Sequence, residues 1–166
     1  AETFALYIQS SDPTISDCRI LYSPSYSVYI YHYSSPVFED THFYRNSGSY
    51  PQYMYYYTEP TFRRCRFEEN TAIHGGGLYV DSYNDVLVES CSFEGNYASS
   101  NGGALYAYYS DLTVTDSTFT DNHGYYGTVS LQAMYGDDYF YRNTFCHNSA
   151  EYGGAVYMND VTSAFM

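Results

Sequence analysis

Carboxylate side chains recur at a near-constant spacing along this chain of 166 residues. The column consists of Asp12, Glu59, Asp85, Asp111 and Asp137, with Ser35 at the equivalent position after Asp12. If equivalent positions stack about 4.8 Å apart, as neighbouring strands do, these carboxylates repel one another. Such a column either binds cations such as Ca²⁺, which prefer oxygen ligands, or projects into water and accepts hydrogen bonds from nearby backbone amides.

A tyrosine column lies two residues before the carboxylate column. Its members are Tyr33, Tyr57, Tyr83, Tyr109 and Tyr135. Stacked amphipathic rings suit contact with carbohydrate or with protein surfaces. The alternative is a purely structural role, in which ring stacking between neighbouring positions stabilises one face by about 0.2–1 kcal/mol per pair.

Both columns belong to an internal repeat. Six anchor residues define it, namely Ile20, Phe43, Phe67, Phe93, Phe119 and Phe145, at spacings of 23, 24, 26, 26 and 26 residues. Three residues after five of these anchors stands an asparagine: Asn46, Asn70, Asn96, Asn122 and Asn148. Asparagine adopts the left-handed backbone conformation at low cost, so this column predicts a structural turn in which the side chains hydrogen-bond their copies in neighbouring coils.

The segments between the turns predict strands. They are short alternations of β-branched, aromatic and polar residues, such as Leu112-Thr113-Val114-Thr115, and no apolar stripe of helical period is present. The period therefore predicts a single all-β domain over residues 1–166, a parallel β-helix of about six and a half coils with 23–26 residues in each. The phase after the glycine pairs stays ambiguous, because Leu78 and Val80 differ by one position from Leu105 and Ala107 relative to their anchors.

The repeat resembles that of the chlamydial polymorphic membrane proteins, which are surface autotransporters. Their Phe-x-x-Asn motif is matched by five copies, for example Phe93-Glu94-Gly95-Asn96, and their Gly-Gly-Ala-(Ile/Leu/Val) motif by Gly102-Gly103-Ala104-Leu105 and Gly153-Gly154-Ala155-Val156. Gly75-Gly76-Gly77-Leu78 is a near match. The resemblance implies a right-handed parallel β-helix with an extracellular or cell-surface location and an adhesive or structural role.

Composition restricts the partners. The formal net charge is -13 with six basic residues, all of them arginine, so the surface repels nucleic acid and anionic membrane. No apolar run reaches the roughly 18–20 residues that span a bilayer, which argues against direct membrane insertion. Cys18, Cys65 and Cys91 each precede an anchor by two residues and are expected to face inward. Cys65 and Cys91 are expected to be neighbours, either as free thiols or as a disulfide.

These observations favour a structural extracellular or cell-surface protein without catalytic activity or cofactor. Neither end carries an atypical capping coil, so the chain is either part of a longer solenoid or stacks head to tail with copies of itself as a filament or surface layer. An adhesin fragment and a carbohydrate-binding module are the alternatives. A polysaccharide lyase or hydrolase is the remaining one, and it would use Arg63, Arg64 and Arg66 beside Glu59.

Overall fold

The described residues form a stack of coils built from twenty-four strands in four parallel sheets. The computed structural model describes residues 4–134, 136, 138–161 and 163–165. Sheet A contains β1 (Phe4–Gln9), β4 (Tyr26–Tyr31), β7 (Gln52–Tyr55), β11 (Leu78–Asp81), β15 (Leu105–Tyr108), β19 (Val129–Gln132) and β23 (Val156–Asn159). Sheet B contains β2 (Thr14–Ser16), β5 (Val37–Glu39), β8 (Thr61–Arg63), β12 (Asp85–Glu89), β16 (Asp111–Thr115), β20 (Asp138–Tyr141) and β24 (Ser163–Phe165). Sheet C contains β3 (Arg19–Leu21), β6 (His42–Tyr44), β9 (Arg66–Glu68), β13 (Ser92–Glu94), β17 (Thr118–Thr120) and β21 (Thr144–Cys146). Sheet D contains β10 (Thr71–Ala72), β14 (Tyr97–Ala98), β18 (His123–Tyr126) and β22 (Ser149–Tyr152).

Each coil visits sheets A, B and C in turn, and the later coils add a strand in sheet D before returning to sheet A. Neighbouring strands within each sheet are equivalent strands of successive coils, and they pair in parallel. The predicted parallel β-helix is therefore confirmed. Coils one to six are numbered here by their anchors, from Ile20 to Phe145.

The anchor phenylalanines form one stack along the axis of the core. Successive ring centroids from Phe43 to Phe145 lie 4.6–4.8 Å apart, with interplanar angles of 4–7°. Phe43, Phe67, Phe93 and Phe119 are wholly buried. Burial of each ring contributes about 1.5–3 kcal/mol, and each stacked pair adds about 0.5–1.5 kcal/mol.

The asparagine column forms a buried hydrogen-bond ladder at the turn after sheet C. Asn96 shows the pattern: its Nδ2 donates to the Phe67 carbonyl at 2.8 Å and to Asn122 Oδ1 at 2.9 Å, and its backbone N donates to the same Oδ1 at 3.0 Å. The expectation that asparagine itself takes the left-handed conformation is wrong. The residue before it does so, as at Glu69, Gly95 and Asp121, because the asparagine side chain must point inward to satisfy the turn.

The inward-facing residues of sheet A, which the sequence left ambiguous, keep one register in the structure because one corner differs in length. Leu78 pairs with Leu105 and Val80 with Ala107, and all four side chains are wholly buried. The corner between sheets A and B has two consecutive left-handed residues in coils two, three and four, but a single one, Tyr109, in coil five. The apparent one-residue shift is therefore absorbed at the corner, and the sheet stays in register.

The cysteines are free thiols in the structure. Cys65 and Cys91 are buried as predicted, and the Cys65 backbone N lies 3.4 Å from Cys91 Sγ. The prediction that Cys18 faces inward as a buried residue is wrong, because its side chain is exposed. Cys18 lies in the first coil, and within the described residues only the second coil packs against it.

Candidate functional site

The corner between sheets A and B places the predicted tyrosine column on the surface. Tyr33, Tyr57 and Tyr83 each hold a positive φ of 50–61°, and each follows another left-handed residue. This backbone turns the tyrosine side chain outward. The next residue in each coil (Ser34, Thr58 or Asn84) turns back into the protein and is almost fully buried.

These buried residues form a polar ladder that fixes the corners relative to one another. The Thr58 backbone N and hydroxyl both donate to Asn84 Oδ1 at 2.8 Å. The Asn84 backbone N in turn lies 3.2 Å from Ser110 Oγ. Because buried polar groups that are hydrogen-bonded are costly to displace, the ladder holds the exposed tyrosines in one orientation.

Three of the corner tyrosines stack. Ring centroids are 5.6 Å apart for Tyr33 and Tyr57 and 5.2 Å apart for Tyr57 and Tyr83, with interplanar angles of 12° and 11°. The ring centroid of Tyr109 lies 6.1 Å from that of Tyr83, but the interplanar angle is 64°. Tyr109 belongs to coil five, where the corner is one residue shorter. The rings are 40–62% exposed, so the outer edge of the stack remains available to a partner. Tyr135 lies outside the described residues.

The predicted carboxylate column lies directly beside the stacked tyrosines. Together they enclose a cleft of about 230 Å³, here called the corner cleft, lined by Tyr33, Tyr57, Glu59, Tyr83, Asn84, Asp85, Ser110 and Asp111. None of these lining residues is basic. A shallower depression continues past Glu59 and Asp85 across the outer face of sheet B to Thr61, Leu87 and Thr113.

Members of the carboxylate column lie in different surroundings. Asp12 Oδ1 accepts a hydrogen bond of 2.7 Å from the Ser35 backbone N, as in the predicted water-facing alternative. Asp85 and Asp111 are direct partners in neighbouring strands. A Cβ at Gly136 would lie 2.6 Å from both carboxylate oxygens of Asp111, so glycine at that position leaves room for this carboxylate. Asp137 lies outside the described residues.

The cation column predicted from the sequence stays a prediction. Within the part of the chain that the structure describes, no three acidic, histidine or cysteine side chains are grouped closely enough to hold a metal ion.

The arginines predicted to lie near Glu59 pair with other acids. Arg63 bonds Glu89 at 2.9 Å, and Arg64 bonds Asp40 at 2.9 Å. Arg66 lies between the next two acids, 3.1 Å from Glu68 and 3.2 Å from Glu94. The pairs of Arg63 and Arg64 join neighbouring coils, whereas Arg66 pairs both within its own strand and with the next coil. Among the described residues, no ion pair joins these arginines to Glu59, and the arginine–acid site stays a prediction.

A second tyrosine ladder, missed in the sequence, covers the outer face of sheet A. The sheet A ladder consists of Tyr7, Tyr29, Tyr53, Tyr79 and Tyr106, which pair in register from β1 to β15. Its central rings lie 4.9–5.4 Å apart with interplanar angles of 6–21°. The signal was present at thirteen or fourteen residues before each anchor, but the unequal corner lengths shift that offset and hide the column.

The sheet A ladder is buried far more deeply than the corner tyrosines. Tyr79 is 8% exposed and Tyr106 is 6% exposed, because Tyr50 and His74 lie against them from the side. Burial raises the pKa of Tyr29 and of Tyr106 to about 12. Burial and the nearby Asp81 carboxylate hold the pKa of Tyr53 and of Tyr79 still further above the ordinary value.

Asp81 connects the two central tyrosines of this ladder. The hydroxyls of Tyr53 and Tyr79 both donate to Oδ2 of Asp81, each at 3.1 Å. The other oxygen, Oδ1, accepts a hydrogen bond of 2.8 Å from the Ser82 hydroxyl. One carboxylate therefore holds two stacked phenols in fixed positions.

The coiled architecture matches one known family of folds. A family model described as a right-handed beta helix region matches residues 4–164. No curated protein and no solved structure matches the chain. None of the described residues forms a helix long and apolar enough to cross a membrane.

Proposed function

The chain belongs to the right-handed β-helix family, and we propose that it is a structural, adhesive β-helix of the cell exterior whose corner cleft binds carbohydrate. The observation that carries this proposal is that three stacked, exposed tyrosines and three carboxylates line one cleft. The outer edge of a tyrosine stack offers apolar ring atoms and hydroxyls to a sugar, and carboxylates accept hydrogen bonds from sugar hydroxyls. The extracellular or cell-surface location rests on the resemblance to autotransporter passengers.

The charge of the cleft selects among carbohydrates. Glu59, Asp85 and Asp111 contribute negative charge, no lining residue is basic, and the whole chain carries a net charge of -13. An acidic polysaccharide would therefore be repelled. Neutral glycans, or glycans with protonated amino groups, are the expected ligands. Since equivalent residues repeat about every 4.8 Å along the axis, a chain of sugars parallel to the axis would meet similar groups at successive coils.

Binding to immobilised and soluble polysaccharides tests this proposal. Calorimetric titration with neutral, cationic and acidic oligosaccharides is expected to give binding with the first two and none with the third. The Tyr57→Ala variant is expected to weaken binding by about tenfold or more, since an aromatic hot spot commonly contributes about 2 kcal/mol. Tyr97→Ala is the matched control, because Tyr97 is also about 40% exposed and stacks on His123 at 5.4 Å and 11° in sheet D.

Equal binding by wild type, Tyr57→Ala and Tyr97→Ala would place the ligand elsewhere and refute the cleft. Release of shortened oligosaccharides during the titration would instead favour the alternative of a polysaccharide-cleaving enzyme.

A second candidate function is end-to-end assembly into a filament or surface layer. The strands at the two ends of sheet A have like residues at equivalent positions, with Tyr7 and Ile8 in β1 and Tyr157 and Met158 in β23. Tyr7 is 46% exposed and Met158 is 49% exposed. A second copy placed on β23 in the same register would continue both the tyrosine column and the apolar column.

Electron microscopy and sedimentation at increasing protein concentration test the assembly. Filaments with a subunit rise of about 30 Å, the height of six and a half coils at about 4.8 Å each, are expected. Tyr7→Lys should prevent them, because an exposed lysine on the edge strand blocks strand pairing. Tyr97→Lys, on an interior coil, is the control and should leave assembly intact. Monomers at every concentration would rule assembly out.

A further inference from the structure

The sheet A ladder contains a group that the carbohydrate proposal does not use. Asp81 projects from the end of β11 and accepts the Tyr53 and Tyr79 hydroxyls through the same oxygen, at 3.1 Å each. The two phenol rings stack at a centroid distance of 4.9 Å and an angle of 21°. Asp81 is therefore a proton acceptor shared by the two phenols. Each of the two tyrosines can in turn give up an electron.

We propose that Tyr53, Tyr79 and Asp81 form a redox-active site that holds one oxidising equivalent as a tyrosyl radical. A one-electron oxidant, such as a photogenerated metal complex or a peroxide-activated haem enzyme, removes one electron from either phenol. The phenolic proton passes along the existing hydrogen bond to Asp81 Oδ2, so the products are a neutral tyrosyl radical, a protonated Asp81 and the reduced oxidant. Reduction of the radical returns the proton to the phenol.

The shared oxygen lets the two tyrosines exchange the radical. When Tyr79 holds it, an electron from Tyr53 can cross the stacked rings, while Asp81 Oδ2 returns its proton to Tyr79 and accepts the proton of Tyr53. No proton has to move further than this one carboxylate. The raised pKa of both phenols fits this order of events, because neither tyrosine loses its proton in advance of the electron.

Burial explains why a radical would persist here and not at the exposed tyrosines. Tyr79 is 8% exposed, and Tyr29 and Tyr106 stack on either side of the central pair. Tyrosyl radicals decay chiefly by coupling with each other, which requires ring-to-ring encounter between molecules. Tyr22 and Tyr33, which are 61% and 62% exposed, can make such encounters, whereas the central pair is covered by Tyr50 and His74.

Electron paramagnetic resonance after photo-oxidation tests the proposal. The full chain is illuminated with a ruthenium polypyridyl complex and an irreversible electron acceptor, then frozen at increasing delays. Wild type is expected to show a fast-decaying signal from surface tyrosines and a persistent second signal. Asp81→Asn should reduce the persistent signal by about tenfold, the change expected when a hydrogen bond to a charged group is lost. Asp121→Asn is the matched control, because that carboxylate is exposed and distant from the ladder, and it should leave the signal unchanged.

Two further variants separate the chemistry from folding. Tyr53→Phe and Tyr79→Phe each keep the stacked ring and leave one phenol on Asp81, so each should retain the persistent signal. The double variant should lose it while keeping the β-rich circular dichroism of wild type. A persistent signal of equal size in Asp81→Asn, or in the double variant, would overturn the proposal, as would dityrosine from exposed residues as the sole product in wild type.

Discussion

The two tyrosine ladders use the same residue type and the same coil-to-coil register in opposite environments. In the sheet A ladder, Tyr79 and Tyr106 are less than 10% exposed, and Asp81 fixes the hydroxyls of the central pair. In the corner cleft, Tyr33, Tyr57 and Tyr83 stack equally well but remain 40–62% exposed beside carboxylates. Stacking alone therefore does not distinguish a structural ladder from a binding surface.

What distinguishes the ladders is the backbone that presents them. The sheet A tyrosines stand on strands whose inner faces fill the core, and side groups such as Tyr50 and His74 cover them. The corner tyrosines follow left-handed residues, which turn their rings away from the protein. Loss of a ring should therefore be costly for stability in the first ladder and costly for ligand binding in the second.

Truncation should give the largest contrast between the ladders. Tyr79→Ala is expected to lower the free energy of unfolding by about 3–5 kcal/mol, as for other buried aromatic residues replaced by alanine. Tyr57→Ala should lower it by less than about 1 kcal/mol, because it removes an exposed stacked pair. Urea denaturation followed by circular dichroism measures both, and similar losses for the two variants would erase the distinction.

Removal of the hydroxyl alone should give a smaller contrast of the same sign. Tyr79→Phe leaves the ring but removes one hydrogen bond to Asp81, at an expected cost of about 1.5–3 kcal/mol. Tyr57→Phe should change stability by less than about 0.5 kcal/mol, as most surface substitutions do. A neutral Tyr79→Phe would show that the Asp81 contact contributes nothing to the ladder.

Alkaline pH should weaken the sheet A ladder by a still smaller amount. The folded-state pKa of Tyr29 and of Tyr106 is about 12, above the ordinary value of 10.0, so the folded protein binds protons more tightly than the unfolded chain. Stability is then fully present below pH 10 and is lost as the pH rises towards 12. The expected loss within that window is about 1 kcal/mol after allowance for the solvent exposure of Tyr29. Phenolate absorbance is measured alongside denaturation, and the Tyr29 and Tyr106 rings should still be protonated at pH 10. Ionisation of these two rings at pH 10 would contradict the expectation.

The sequence was sufficient to predict the features that repeat at a constant offset from the anchors. The phenylalanine stack, the asparagine ladder hydrogen-bonded between coils and the proximity of Tyr57 to Glu59 all follow from a fixed distance to the nearest anchor. The corner cleft itself was not foreseen, because its depth depends on the two left-handed residues of each longer corner. Corner length is set by backbone conformation and has no strong signature in residue type.

The features that sequence reasoning missed depend on offsets that vary. The sheet A ladder lies beyond the variable corner, so its distance to the anchors changes from coil to coil. The pairing of Arg63 with Glu89 was not foreseen, because a charge contact along the axis joins residues 26 positions apart. Cys18 was misjudged because a column position predicts burial only where a coil lies on both sides.

Nuclear magnetic resonance of isotope-labelled tyrosine rings compares the two ladders in one experiment. On addition of a neutral or cationic oligosaccharide, the ring signals of Tyr33, Tyr57 and Tyr83 should shift in proportion to occupancy, while those of Tyr53 and Tyr79 stay in place. Shifts confined to the sheet A ladder, or no shift in any of the three corner tyrosines at saturating ligand, would contradict the assignment of the corner cleft as the binding surface.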